Sequence, residues 1–306
     1  MKSASTAHQS IASGLVLATL GAVAFSGKAI IVKLAYRHGV DAVTLIMLRM
    51  LFALPFFLVM TWWSGRHTAM RKPAPLTSKD MLGVVWLGLT GYYLASFLDF
   101  AGLQYITASL ERLILYLNPT LVLLLGLLFF RRHIGRRQAA GMAISYGGVL
   151  LVFGHEVTLQ GTDAAWGAIL VFLSAVSYAL YLFYSGEMVQ RLGSMRLVGL
   201  ATSVACVLCI AQFVILRPLS AAWTVAPEVI WLSVLNATLC TVVPVMMVMM
   251  AIERIGSGLA AQVGMIGPMS TMLMGVVVLG EPFTGWLVLG TLLVILGVFV
   301  CSRARS

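Results

Sequence analysis

Runs of roughly 20 apolar residues, the length that carries a helix across a bilayer core, follow one another through this sequence from Ile11 to Cys301. A helix rises about 1.5 Å per residue, so each run matches a hydrocarbon layer about 30 Å thick. In that layer the backbone must satisfy its own polar groups, which a helix does within one segment. Composition excludes the soluble alternative. Of the 306 residues, 60% are apolar and 10% charged, and the mean hydropathy is +1.00; a soluble domain carries about a quarter charged residues. The expected fold class is an all-α polytopic membrane protein without a soluble domain. Its first run, from Ile11 to about Tyr36, is too long for a signal peptide and is expected to remain as a span.

Ten spans are expected, at about 12–35, 42–63, 80–104, 107–130, 138–154, 165–186, 195–216, 228–251, 257–279 and 284–301. Loop charge orients them. The termini and the loops after even-numbered spans hold Lys2, Arg66, Arg71, Lys72, Lys79, Arg131, Arg132, Arg136, Arg137, Arg191, Arg196, Arg254, Arg303 and Arg305. Loops after odd-numbered spans hold only Arg37 and Arg217, with Lys33 at the lip of span one. Cytoplasmic loops carry the excess of Lys and Arg, so both termini are expected in the cytoplasm of a multi-pass protein of the cell inner (plasma) membrane. The same bias explains the net charge of +10. Nucleic-acid binders instead show a basic stripe on a wettable fold, and no nucleic-acid partner is expected. Cys206 and Cys209 form a C-x-x-C, but no second ligand pair accompanies it and its surroundings are Val and Leu. Buried apolar thiols are inert, so neither a metal nor a cofactor is expected.

The chain repeats itself. Leu110, Pro119, Gly126, Gly141 and Gly148 recur 149 residues later as Leu259, Pro268, Gly275, Gly290 and Gly297. The halves, 1–155 and 156–306, hold five spans each. An odd number turns the second upside down, giving two inverted five-helix repeats. Such repeats mark secondary transporters, whose substrate site lies near the midplane where the repeats meet. Inversion also explains why span four ends in Arg131-Arg132 and span nine in Gly280-Glu281: the two ends face opposite leaflets.

These residues carry a resemblance to the drug/metabolite transporter superfamily, of the EamA type with ten spans. Lys33, Arg49, Pro119, Pro268, Gly280-Glu281, Gly290 and Gly297 match its pattern, and the Gly102 to Ala108 stretch resembles its A-L-x-Y-x-x-A. The first half departs from it, with Arg131-Arg132 where the family usually has Gly-Glu. The resemblance implies a central cavity lined by spans one, three, four, six, eight and nine, and it favours export.

Ionisable side chains inside a membrane are costly and face a cavity or each other. Away from loop ends these are Lys28, Arg49, Asp99, Glu111 and Arg112. Counting the rise along each span puts Lys28, Asp99, Glu111 and Arg112 in one layer of the outer half. That layer is either a structural ion cluster pinning spans one, three and four, or a substrate or proton site. Tyr92, Ser96 and Asp99 stand at helical spacing on span three, and Glu111 and Asn118 do so on span four. Lys28 shares a face of span one with the small residues Gly21 and Ala24. In the second half the polar stripes are Ser174, Ser177, Tyr178 and Tyr181, then Asn236, then Gln262. The expected substrate-binding set is Lys28, Tyr92, Ser96, Asp99, Glu111, Tyr116, Asn118, Tyr178, Asn236 and Gln262. Its tyrosines lie too deep to be interface anchors, although a packed ring is the competing role. Arg49 is read as an anchor of span two. Gly141, Gly148, Gly290 and Gly297 are expected to let spans five and ten pack closely, and Pro119 and Pro268 to kink spans four and nine.

Function classes separate on what is missing. A membrane enzyme needs a catalytic cluster such as HExxH or G-x-S-x-G, and an ATP-driven pump needs a P-loop; the sequence has none of these. The expected activity is secondary active transport, with export of small metabolites such as amino acids or related compounds by alternating access. The alternative is a membrane channel, or a lipid or precursor flippase without proton coupling. Expected partners are a small-molecule substrate, a proton as candidate coupling ion, and the bilayer. The chain is read as a monomer or homodimer.

Overall fold

Apolar runs in alternation with short polar loops leave the chain no option but to cross back and forth. The computed structural model describes residues 2–66, 76–130, 135–264 and 266–303. Among the described residues, eight helices are long and apolar enough to span: Ala12–Tyr36, Ala42–Ser64, Ser78–Gly102, Ala108–Phe129, Arg136–Thr158, Asp163–Leu192, Ser194–Leu216 and Pro227–Ile252. Two shorter ones, Gly267–Leu279 and Gly285–Cys301, complete spans nine and ten. The expected ten-span order holds. Residues such as Leu82, Leu128, Ile215 and Val277, each more than 70% exposed, point outward. On a water-soluble surface such patches would aggregate; in lipid they are the wetted face.

Packing obeys the internal exchange of halves. Span five packs on span ten and span two on span seven, while span three meets span six as span eight meets span one. The glycine seam fixes the sense of the exchange. A Cβ on Gly141 would sit 2.7 Å from the Gly297 carbonyl oxygen, and one on Gly148 2.7 Å from that of Gly290. Because Gly141 corresponds to Gly290 and Gly148 to Gly297, these contacts swap partners about a two-fold axis. Spans five and ten therefore run antiparallel, as two inverted repeats require.

In span four the α-helix stops at Leu115 and restarts at Asn118, with Tyr116 and Leu117 in a turn between them. In span nine Met265 lies outside the described residues, and a helical segment begins at Gly267. Pro119 and Pro268 each sit in the first turn of the segment that follows, where the missing N–H costs nothing, and the kink expected in span four falls at its turn. The Tyr116 hydroxyl donates to the Gly264 carbonyl at 2.7 Å, tying the two spans together. Ser26 of span one donates to the Gly267 carbonyl at 2.9 Å.

Two π-helical turns, Leu89–Leu94 and Thr238–Val242, lie 149 residues apart in spans three and eight. Each loosens the carbonyl ladder, and side chains fill in: Ser177 donates to Thr90 O at 2.7 Å and Thr241 to Asn236 O at 2.9 Å. Spans eight and nine are joined without a loop. The chain turns at Gly256, whose φ of 78° is open to glycine. Arg131 and Arg132 lie outside the described residues.

Candidate functional site

The ion layer forms at the end of the bundle where the odd-numbered spans finish, the far end. Lys28 Nζ lies 2.5 Å from Asp99 Oδ2 and 3.3 Å from Glu111 Oε1. One ammonium thus serves two carboxylates, and all three residues are at most 7% exposed. Asp99 Oδ1 and Glu111 Oε2 have no hydrogen-bond partner among the described residues. Arg112, adjoining Glu111, donates from Nε to Thr271 Oγ1 of span nine at 3.0 Å. Phe25 lies under both cations, its ring centroid 5.7 Å from Lys28 Nζ and 5.1 Å from Arg112 Cζ. Cations over an aromatic face are favoured, more so when desolvated. The cluster therefore joins spans one, three and four of the first repeat to span nine of the second.

The remaining expected residues distribute themselves around it. Tyr92 and Tyr181 share a hydroxyl–hydroxyl bond of 3.1 Å, and Tyr178 stacks on Tyr181 at 5.5 Å. Asn236 is buried, Asn118 is half-buried with its Oδ1 enclosed, and Ser96 is half-buried. The Gln262 side chain lies outside the described residues.

Two expected stripes run through irregular backbone. Tyr92 and Asp99 were to share a face of span three, but the π turn through Leu89–Leu94 has a wider repeat than an α-helix and rotates the register. Tyr92 accordingly meets Tyr181 on span six while Asp99 meets Lys28 on span one. Glu111 and Asn118 fall on opposite sides of the break in span four, where α-helical spacing no longer applies. The small face of Lys28 is also filled: a Cβ on Gly21 would lie 3.1 Å from Val248 of span eight.

Sequence reasoning overlooked a second polar cluster at the far end. Glu281 accepts from the Ala108 N–H at 2.7 Å, the Ser109 N–H at 3.3 Å and the Ser109 hydroxyl at 2.7 Å. A carboxylate from the second repeat thereby caps the first turn of span four, where the helix dipole favours negative charge. Glu156 accepts from the Thr107 hydroxyl and from its N–H. Lys33 donates to the Leu103 and Ile106 carbonyls at 3.2 and 3.0 Å, closing the end of span three. A cavity of about 20 Å³ lies among Thr107, Ser109, His155, Glu156, Glu281 and Thr284, room for about one water. Span five was read as ending at 154, two residues short of Glu156; one more turn would have shown the carboxylate.

Fold and site together define a ten-span membrane protein of two inverted repeats, with a buried ion cluster where the repeats meet. The model of the EamA-like transporter family matches residues 12–154 and 165–303, and the chain belongs to that family. It is 28% identical to the uncharacterized transporter YcbK of Bacillus subtilis over 281 residues, covering 88% of this chain and 86% of YcbK. An uncharacterized transporter of Archaeoglobus fulgidus is 22% identical, over 95% of this chain and 97% of its own. A solved crystal structure of a protein 18% identical aligns with a TM-score of 0.62 over 95% of this chain and 96% of that one, which shows the shared fold. The protein is a multi-pass membrane transporter.

Proposed function

We propose that the chain is a secondary active exporter of small metabolites, such as amino acids or related compounds, working by alternating access. It sits in the cell inner membrane with both termini cytoplasmic, and its two units meet at about residues 155 and 156. The observation that carries the reading is the Lys28–Asp99–Glu111 cluster beside the interrupted helix of span four. Intramembrane ions with open oxygens mark substrate and proton pathways, and discontinuous helices line transporter sites. The cluster holds one ammonium against two carboxylates. A proton on one acid makes the triad neutral, and its release restores a net negative charge. Loading on the outside and release inside is the least that an antiporter needs. Lys28, Asp99 and Glu111 bind and couple, while Tyr92, Ser96, Tyr116, Asn118, Tyr178, Asn236 and Gln262 line the substrate path.

Flux into proteoliposomes, measured against a panel of amino acids, nucleobases and amphipathic cations under an imposed pH gradient, tests this directly. Gradient-driven flux of at least one compound is expected. In Asp99→Asn or Glu111→Gln the pH dependence should flatten while the protein still folds. Unchanged pH dependence in both folded variants refutes the proton role, and flux indifferent to the gradient favours a channel or flippase.

A further inference from the structure

Arg49 stands outside the ion pairs just described. It is 6% exposed, and among the described residues no carboxylate lies within the 4.0 Å of a salt bridge. Two contacts with its guanidinium are seen among the described residues. Nε donates to Thr241 Oγ1 at 3.2 Å, and Cζ lies 5.1 Å from the Phe100 ring centroid. Nη1 is enclosed and has no hydrogen-bond partner among the described residues. A guanidinium is a rigid fork of donors matched to carboxylate geometry, and it keeps its charge when buried.

Its neighbours repeat the pattern. Thr241, which receives the Arg49 bond, belongs to the π turn of span eight and passes a bond on to the Asn236 carbonyl. Asn236 is 1% exposed, and neither its amide nitrogen nor its amide oxygen has a partner among the described residues; Ser233 Oγ, fully buried, has none either. Buried polar groups of a fold normally satisfy one another. Left over in the helix that runs into a π turn, a feature frequent at functional sites, they fit a ligand. Charge points the same way. Cys240, in that π turn, lies within electrostatic reach of Arg49, Lys28 and Arg112. Asp99 and Glu111 are the two buried acids set against these three cations, so one positive charge is left over.

We infer that Arg49 and Asn236 form a carboxylate-binding site, and that the transported compound carries a carboxylate whose charge neutralises the surplus cation. The inference rests on the transporter reading above and adds the substrate's chemical class. Arg49 supplies the paired donors, and Asn236 and Ser233 supply further hydrogen bonds.

Cys240 provides the probe, because its thiol lies within electrostatic reach of Arg49. In a variant with Cys206, Cys209 and Cys301 replaced by Ala, Cys240 is labelled in proteoliposomes by the anionic methanethiosulfonate ethylsulfonate and by its cationic trimethylammonium counterpart. The rates are compared with those on a small free thiol. The anionic reagent should gain at least about tenfold relative to the cationic one, and Arg49→Gln should remove about that factor, as loss of a unit charge in a poorly screened site requires. Acetate, benzoate and L-leucine should slow the labelling, and acetamide, benzamide and L-leucinamide should not. Arg49→Lys should keep the charge ratio yet lose the protection, because the fork is gone; it also serves if Arg49→Gln fails to fold. Equal labelling by both reagents, a ratio unchanged in Arg49→Gln, protection by amides as well as acids, or no labelling at all would each show Arg49 to be an internal brace. Flux separates the two claims. Charge-blind labelling with intact flux overturns the carboxylate site alone, whereas charge-selective labelling without flux of any metabolite overturns the transporter reading and keeps the site.

Discussion

Replacing Lys28 by Met keeps the length of the side chain and removes the one charge shared by two acids. Asp99 and Glu111 then lose an ammonium 2.5 and 3.3 Å away, and at 2% and 0% exposure neither can turn to solvent. Removing one partner of a buried ion pair costs about 3–5 kcal/mol, because the other charge is left uncompensated. Two stranded acids place Lys28→Met at the upper end of that range, partly offset by the cation of Arg112 nearby. The double variant Lys28→Met/Asp99→Asn strands one acid only and should recover about half of the loss. Equilibrium unfolding in mixed micelles, titrated with sodium dodecyl sulfate and followed by helicity, measures the parent, Lys28→Met, Asp99→Asn and the double variant, the four corners of the cycle. A coupling of about 1.5 kcal/mol or more between the two positions is expected for directly interacting residues. A loss below about 1 kcal/mol in Lys28→Met, within the range of an exposed pair, would refute the view that the ammonium holds the acids.

Three further outcomes follow from the geometry. Gly148→Leu should destabilise by about 1–3 kcal/mol or more through overpacking, because its Cβ would meet the Gly290 carbonyl at 2.7 Å; Gly147→Leu, next to it and facing open space, should leave the same unfolding curve unchanged. Asp41 caps span two by accepting from the Val43 and Thr44 N–H groups at 3.0 and 3.2 Å. Burial raises its carboxyl, yet the Thr44 bonds and Arg217 outweigh that and hold it below the ordinary carboxylate range. Its contribution is therefore complete above about pH 4, the ordinary range of an Asp carboxyl, and fades as pH falls through the lower folded value; Asp41→Asn should flatten that acid limb in unfolding curves taken across pH. A reporter active only in the periplasm should stay silent after Ser306 and be active after Gln160, and the reverse pattern would overturn the assigned orientation.

What the sequence could and could not disclose follows from range. Span count and repeat rest on local composition and on spacing along one chain, and both were legible; so was the glycine seam, whose four positions align under one shift. The Lys28, Asp99 and Glu111 layer was legible too, because helical rise alone fixes depth. Facing was not. A π turn at Leu89–Leu94 and an interruption after Leu115 change the rotation of everything beyond them; Pro119 marked the second as a kink but not its rotation, and no residue type announces the first. Glu281 escaped because its partners, Ala108 and Ser109, lie in the other half of the chain. Arg49 was read as an anchor because a side chain's missing partner is visible only once the neighbours are in place.

The seam of spans five and ten touches backbone to backbone, with Val152 seated against Gly290 and Ser145 against Gly297. No layer of flexible side chains lies between them to absorb a shear, so sliding one helix along the other would drive those side chains into the opposing chain. Tilting about the seam disturbs little. The joint thus has the mechanics of a hinge pin, stiff to translation and compliant to rotation. Span four, interrupted at Tyr116 and Leu117, packs Leu113, Leu117 and Leu121 in one apolar cluster with Val149, Val152 and Val294 of the seam, and so lies beside the pin. A motion that exchanges the two ends of such a body would leave the seam in place and turn the other spans about it.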